Sequence, residues 1–313
     1  EEEEEEENEE EEEEEENEWW WWWEKCDGDG GGGGGGSEKE VALFLSHLLE
    51  EMGLDVVVEE VEPGAPNVIA VLQGQKEGPC LMLECHTDVV TEGDASEWKY
   101  GPFEGRLSGN RIYGRGACDT KGNLAAAVQA VKAISQSGAP FNGKILLGIL
   151  VDEEGMMSGA KHFIRQGWAN GVNAAIICEP VDNQLCITQK GALRAELTTS
   201  GKMSHGAMPL AGLNPFPPMV SILEKLRQLE EEEIERLGMN PFLGYPSITP
   251  TVLQAPVKGE PQLNVVPYQC RALLDIRTIP GQSHEALKKE LENIIQEEES
   301  SIRASLESGP LKQ

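Results

Sequence analysis

The sequence is short of positive charge. Its 313 residues include 25 Lys and Arg against 56 Asp and Glu, which gives a formal net charge of −31. Residues 1–36 hold −18 of that charge, so about −13 remains for the rest of the chain. An acidic chain without a basic patch is a poor candidate for binding nucleic acid, and we expect no such partner.

Long apolar runs and paired cysteine motifs are also missing. No apolar stretch approaches the roughly 20 residues of a membrane-spanning helix, so we expect no membrane partner. The seven cysteines are an odd number and include no C-x-x-C pair. Several lie in apolar runs, where a free cysteine behaves as a small hydrophobic residue. This usage indicates a reducing, cytoplasmic compartment.

Residues 1–37 are of low complexity, with a Glu tract, five consecutive Trp residues and a Gly run. They lack the basic and apolar regions of a signal peptide. The Gly run lacks the Lys-Ser/Thr of a phosphate-binding loop. A block of like charge predicts a disordered tail, and we expect no function for it.

From residue 38 onward, apolar strands alternate with helices. Helices are predicted over residues 38–52, 123–135 and 158–166, and strands over 54–61, 67–72, 80–84, 111–113, 144–151 and 174–178. This alternation predicts an α/β sheet with helices on both faces. We assign residues 38–190 to this domain.

The pattern changes near Gly191. Strands are predicted over residues 193–199, 249–254, 268–278 and 302–306, and helices over 218–237 and 283–297. The order β-α-β-β-α-β is the split ferredoxin-like arrangement. A second domain is therefore predicted over residues 191–308.

Polar side chains gather at the predicted carboxyl ends of strands, where α/β sheets bind ligands. They are His86, Glu153, Glu154 and Glu179. His86 and Asp88 are two residues apart, so in a strand they project to the same face. This arrangement suits a metal-binding histidine whose second nitrogen is held by an acid, although a surface His-x-Asp is the alternative.

Asp119, Glu153 and Glu154 fit metal-dependent chemistry. Asp119 lies between a Gly-rich loop and a helix, where a short carboxylate can bridge two cations. Glu153 and Glu154 are neighbours whose side chains diverge, so one can bind metal while the other holds a water as general base. Histidine with carboxylates suits zinc, and also manganese or cobalt. Each acid alone is more often a solvated surface group, and Gly114-x-Gly116 alone could be a tight turn or a weak dinucleotide loop.

Seven segments form a specific set in a fixed order. They are Cys85-His86-Thr87-Asp88, Gly114 to Gly122, Asp152-Glu153-Glu154-Gly155, Cys178-Glu179-Pro180, Gly201 to His205, Asn264 to Pro267, and Asp275 to Gly281. The set resembles the family 20 metallopeptidases, which include acetylornithine deacetylase, succinyl-diaminopimelate desuccinylase, aminoacylase and carboxypeptidase G. The resemblance covers about residues 38–308. It implies a zinc-peptidase-type mixed sheet flanked by helices, with an inserted ferredoxin-like α+β domain that serves as lid and dimerisation domain.

The resemblance also implies a ligand set for two Zn²⁺ ions, with Co²⁺ or Mn²⁺ as alternatives. His86 and Glu179 would hold one ion, Glu154 would hold the other, and Asp119 would bridge them. Asp88 would orient His86. Glu153 would act as general base and then as proton donor. The peptide bond Asp119–Thr120 is expected to be cis.

Residues of the lid are implied to contact the substrate. His205 would reach across a homodimer to polarise the scissile carbonyl, and Asn264 and Arg277 would grip a substrate carboxylate. A turn histidine and a surface salt bridge are the alternatives for His205 and Arg277.

The implied activity is hydrolysis of an N-acyl amino acid, with removal of a succinyl or acetyl group from a molecule such as diaminopimelate or ornithine. An aminoacylase, carboxypeptidase or dipeptidase of the same family is the first alternative. A non-catalytic dimer that binds amino-acid-like ligands is another, and a nucleotide-binding α/β domain is a third.

One departure concerns the end of the sequence. In the family the chain returns from the lid to the catalytic domain and supplies a second metal-binding histidine. Here residues 309–313 stand where that return begins, so we expect a truncated chain whose second zinc is short of one ligand. The remaining histidines, His47, His162 and His284, lie on predicted helices outside the motifs.

Overall fold

The computed structural model describes residues 38–308, with side chains up to residue 299. Two compact units divide the chain between Gln184 and Leu185. The predicted tail and residues 309–313 lie outside the described residues. The assignment of a catalytic domain and a lid domain, with a boundary after residue 190, stays a prediction.

The first unit is built on one mixed sheet. Its helices are α1 (Lys39–Glu51), α2 (Gly122–Ser137) and α3 (Ser158–Arg165). Its sheet strands are β1 (Asp55–Glu62), β2 (Ala65–Gln73), β3 (Lys76–His86), β6 (Asn142–Leu150) and β7 (Val172–Ile177), and β4 (Arg106–Leu107) and β5 (Ile112–Tyr113) form a separate short ladder. The strand order is β1-β2-β6-β3-β7, with β3 parallel to both of its neighbours and the other pairs antiparallel.

Side chains on the two faces of the sheet pack into two separate cores. Val68, Ala70 and Leu147 pack with α1 and α2 on one face. Ile69 and Leu146 pack with Phe163 of α3 on the other face. Period-two alternation explains this division, since successive strand residues point to opposite faces. The prediction of a mixed sheet flanked by helices is confirmed.

The second unit packs two helices against an antiparallel sheet. Strands β8 (Gly191–Ser200), β10 (Ser247–Gln254) and β12 (Gln269–Thr278) have the order β10-β12-β8. Helices α4 (Phe216–Leu237) and α5 (His284–Ser308) complete its core through side chains such as Met219, Leu226 and Leu287. Strands β9 (Ser204–His205) and β11 (Val265–Val266) form a separate two-residue ladder.

The prediction of a last strand over residues 302–306 is wrong, because α5 continues to Ser308. No helix-breaking residue separates Glu297 from Ser308, and the segment is rich in residues of good helix propensity. The observed order in this unit is therefore β-α-β-β-α, with the two short strands β9 and β11 added.

The described residues contain no helix with the length and apolarity needed to cross a membrane. The six cysteines of this region are all free thiols.

Candidate metal centre

His86 forms the floor of the candidate site at the carboxyl end of β3. The residue is 1% exposed. Its Nδ1 lies 3.0 Å from the backbone oxygen of Asp88 and 3.4 Å from Asp88 Oδ1. A histidine held through Nδ1 presents Nε2 as the ligand atom, which is the arrangement usual in metal sites.

Two carboxylates face His86 Nε2. Asp119 Oδ1 lies 3.1 Å away and Glu179 Oε1 lies 3.9 Å away. One ligand atom from each of the three residues falls within 4.8 Å of the others. Both carboxylates are partly exposed, so the group opens from a buried histidine toward solvent.

The loops that carry these carboxylates are joined by buried contacts. Thr120 is fully buried, and its Oγ1 donates a hydrogen bond to the backbone oxygen of Cys178 at 2.5 Å. That bond ties the residue after Asp119 to the residue before Glu179. The peptide bond between Asp119 and Thr120 is cis, as predicted.

Glu153 and Glu154 lie in the turn after β6 and are held by Asp88. The two carboxylate oxygens of Asp88 accept the backbone N–H groups of Glu153 and Glu154, each at 2.9 Å. Burial alone would raise the pKa of Asp88, but the hydrogen bonds from His86 and from these two amides lower it below its usual value. Asp88 therefore stays ionised while it contacts both His86 and the backbone amides of Glu153 and Glu154.

Crowded negative charge perturbs the candidate ligands. Burial, together with the charges of Asp119, Glu153 and Glu154, raises the pKa of Glu179 to about 7, against the opposing effect of His86. Burial and the charge of Asp119 also raise the pKa of Glu154. Perturbed carboxyl groups that share a cleft are typical of functional sites.

His86 responds to the same charges in the opposite direction. Burial would lower its pKa, but the hydrogen bond with Asp88 and the charges of Asp88, Glu179 and Asp119 outweigh burial and raise it to about 9. One imidazole facing several carboxylates is a donor set that fits zinc or another divalent first-row cation. A cation there would offset the mutual repulsion of the acids, so the residues present fit a metal ion.

The cluster of the three ligand groups holds one histidine within the described part of the chain. His162 lies elsewhere in the first unit, where its Nε2 is 3.3 Å from Glu59 Oε2. The prediction of a missing second histidine ligand stays a prediction.

Three predicted substrate contacts lie in the second unit. His205 pairs with Val265 in the β9–β11 ladder, and Gly206 N–H donates to the backbone oxygen of Asn264 at 2.7 Å, so the ladder brings His205 and Asn264 together. Nδ1 of the exposed His205 ring accepts the N–H of Ala207 at 3.1 Å. In the neutral ring this leaves the proton on Nε2 as a donor. Arg277 forms a two-pronged ion pair with Asp275 on its own strand, at 2.6 and 3.0 Å.

Two polar residues near the site, the buried Asn67 and the partly buried Glu38, were missed from the sequence. Asn67 on β2 contacts both ends of the loop that carries Glu153 and Glu154. Glu38 accepts a hydrogen bond from Thr87 Oγ1 at 3.2 Å. Asn67 offered a signal, because it is a lone amide at the start of the apolar run Val68 to Leu72. Glu38 offered none, since it stands where the low-complexity tail ends.

A cleft of about 510 Å³ lies at the other end of the sheet. Pro79, Asn142 and Asn173 line it, at or near the amino ends of β3, β6 and β7. It is therefore separate from the candidate metal centre.

Comparison with known proteins identifies the same family. Residues 82–304 match the family described as peptidase family M20/M25/M40. A probable succinyl-diaminopimelate desuccinylase of Staphylococcus epidermidis is 28% identical over 82% of this chain and 67% of its own length. A succinyl-diaminopimelate desuccinylase of Rhodospirillum centenum is 31% identical over 75% of this chain and 61% of its own length. The chain thus spans about two thirds of the length of these curated relatives.

Solved structures share the fold. An M20 family metallo-carboxypeptidase of Sulfolobus solfataricus has a TM-score of 0.65 at 21% identity, with 88% of this chain and 74% of that chain covered. A dinuclear metal-binding M20 peptidase of Bacillus subtilis has a TM-score of 0.54 at 17% identity, with 84% and 65% covered.

Proposed function

Because the chain belongs to peptidase family M20/M25/M40, we propose that it is a metal-dependent hydrolase that removes a succinyl or acetyl group from an N-acyl amino acid. The observation that carries this proposal is the convergence of His86, Asp119 and Glu179 within 4.8 Å. The names of the curated relatives favour succinyl-diaminopimelate as the substrate. A cytoplasmic location and a homodimer formed through the lid are part of the same proposal.

We propose two zinc ions as the metal complement. His86 and Glu179 would hold one, Glu154 would hold the other, and Asp119 would be shared by both. Bound zinc would supply Lewis acidity and would lower the pKa of the attacking water toward about 7. The acidic donor set and the raised pKa values of Glu154 and Glu179 support this assignment.

The protein's own groups move the proton. Glu153 takes a proton from the attacking water and returns it to the amine nitrogen that leaves. Asp88 supports this role, because its hydrogen bond to the Glu153 amide fixes the residue's backbone. His205 donates from Nε2 to the scissile carbonyl oxygen of a substrate bound by the partner chain, and Asn264 and Arg277 grip the substrate carboxylate.

The test is Glu153→Ala, assayed on N-succinyl-diaminopimelate, N-acetylornithine, other N-acetyl amino acids and dipeptides. We expect kcat to fall by several orders of magnitude, while zinc per chain, measured by elemental analysis, stays the same. Glu97→Ala is the control, because Glu97 is an exposed acid at the end of the short 3-10 helix Ala95–Glu97. Turnover of dipeptides alone would assign a peptidase instead. An unchanged rate in Glu153→Ala would reject the assigned base, and the absence of hydrolysis in the parent chain would reject the activity.

A further inference from the structure

The loop between β6 and α3 carries both Glu153 and Glu154 and has its own internal frame. Asp152 Oδ2 accepts the N–H of Ser158 at 3.0 Å, and the backbone oxygen of Asp152 accepts the N–H of Met157 at 2.7 Å. These bonds fold residues 152–158 into a compact turn. Because these bonds are internal to the loop, they do not fix its position relative to the sheet.

Asn67, on the neighbouring strand β2, joins the two ends of this loop. Its Oδ1 accepts the N–H of Val151 at 3.1 Å, and its Nδ2 donates to the backbone oxygen of Gly159 at 2.9 Å. Gly159 N–H also donates to the backbone oxygen of Val151 at 3.2 Å. Asn67 is fully buried, so water cannot replace either bond.

The two ends of the loop pack closely against each other and against Asn67. A Cβ added to Gly159 would overlap the backbone of Val151 and lie 2.7 Å from Asn67 Oδ1. The side chain at position 67 must supply one donor and one acceptor from a single planar group, which the asparagine amide does. A leucine of similar size supplies neither.

We infer that Asn67 is a positioning residue for Glu153 and Glu154. It fixes the two ends of the loop, and Asp88 then receives the amides of Glu153 and Glu154 in the middle of the loop. Without Asn67 the two ends of the loop lose both side-chain hydrogen bonds and keep the backbone bond from Gly159 N–H to Val151. This inference rests on the proposed function for the roles of the two glutamates, but its hydrogen bonds are independent of that function.

The test compares Asn67→Leu with Ile69→Ala in the full chain. Ile69 is also fully buried, lies on the same strand and face, and packs in the core under α3 without a hydrogen bond to the loop. We measure zinc affinity by competition with a chromophoric chelator, amide hydrogen exchange of residues 151–159, and kcat and KM separately. Asn67→Ser is the second variant if the leucine variant does not fold.

We expect Asn67→Leu to weaken zinc affinity by about tenfold or more, the usual effect of losing a group that supports metal ligands. Exchange of the loop amides should accelerate, and kcat should fall by about tenfold while KM changes less than about twofold. Ile69→Ala should lower the melting temperature and leave these three quantities within about twofold of the parent.

Equal losses in Asn67→Leu and Ile69→Ala would show that Asn67 only stabilises the fold, and would overturn the inference. Unchanged loop exchange and zinc affinity in Asn67→Leu would overturn it as well. If the parent chain hydrolyses no substrate, the proposed function fails, while the exchange and zinc measurements still decide the role of Asn67.

Discussion

At the scale of single residues, Glu38 shows how a partly buried acid can be held beside the candidate site. Its carboxylate accepts from Thr87 Oγ1, the residue directly after His86. Burial and the charges of Asp88 and Asp152 raise its pKa to about 7, although the hydrogen bond from Thr87 opposes the shift. Glu38 therefore carries an energetic cost whenever it is ionised in the folded protein.

Replacing Glu38 by Gln should change how stability depends on pH. The folded pKa is raised from 4.5 to about 7, so the folded state binds more protons than the unfolded state between these values, and stability falls as pH rises through this window. Glu38→Gln removes that fall and should stabilise the protein at pH 8 by up to about 3 kcal/mol. The gain should shrink toward zero near pH 4.5, as measured by urea denaturation at each pH.

Glu40→Gln is the control for this experiment, because Glu40 is an exposed acid in the first turn of α1, the helix that Glu38 precedes. A gain in Glu38→Gln that does not vary with pH would contradict the assignment of the cost to ionisation of Glu38.

At the scale of secondary-structure elements, the start of β6 is a point of close contact. Gly143 has φ +88°, and a Cβ there would overlap the backbone oxygen of Pro79 on β3. The adjacent parallel strand thus approaches at a place where only glycine fits.

Gly143→Ala should destabilise the protein by roughly 3 kcal/mol, the combined cost of a left-handed alanine and an overlap with a strand backbone. Gly138→Ala separates the two causes. Gly138 has φ +62° at the end of α2 but nothing within 4 Å of the added Cβ, so it should cost only about 1 kcal/mol. Denaturant midpoints measure both. Equal costs would show that β3 moves aside at no penalty.

The elements also mark what the sequence could and could not predict. Strands such as β6 follow from continuous apolar runs, and their shared carboxyl edge follows from parallel order, so the meeting of His86 with Glu179 was predictable. The helical end of α5 was not, because Ile302, Ala304 and Leu306 alternate as in a strand while the same residues also suit a helix. The hydrogen bonds of Asn67 were not predictable either, because their partners Val151 and Gly159 lie 84 and 92 positions further along the chain.

At the scale of the whole molecule, each unit has its own core. Leu147 and Val68 belong to the core of the first unit, and Leu274 and Ile276 belong to that of the second. The candidate ligands His86, Asp119, Glu154 and Glu179 all lie in the first unit. A separate core is what allows a unit to unfold independently.

Zinc should therefore stabilise one unit selectively. When the five tail tryptophans, Trp19 to Trp23, are replaced by Phe, Trp98 and Trp168 remain, and both lie in the first unit. Fluorescence of this variant reports the unfolding of the first unit, while far-ultraviolet circular dichroism reports both units. Zinc at 100 times its Kd should add about 2.7 kcal/mol to the free energy of unfolding of the first unit and leave that of the second unit unchanged.

Leu274→Ala is the matched variant for the second unit, and it should lower only the transition that fluorescence does not follow. A single transition seen by both probes and shifted as a whole by zinc would show that the two units unfold together.

Asp88 gives the proposed pair of metal ions a common support. One carboxylate touches the histidine assigned to the first ion and the backbone of the glutamate assigned to the second. An ion bound at His86 would restrain Asp88 further, and through Asp88 it would restrain the loop that would serve the second ion. Occupancy of the two positions should consequently be cooperative: a zinc titration should give a Hill coefficient above one, and replacing Asp88 by Ala should reduce it toward independent binding.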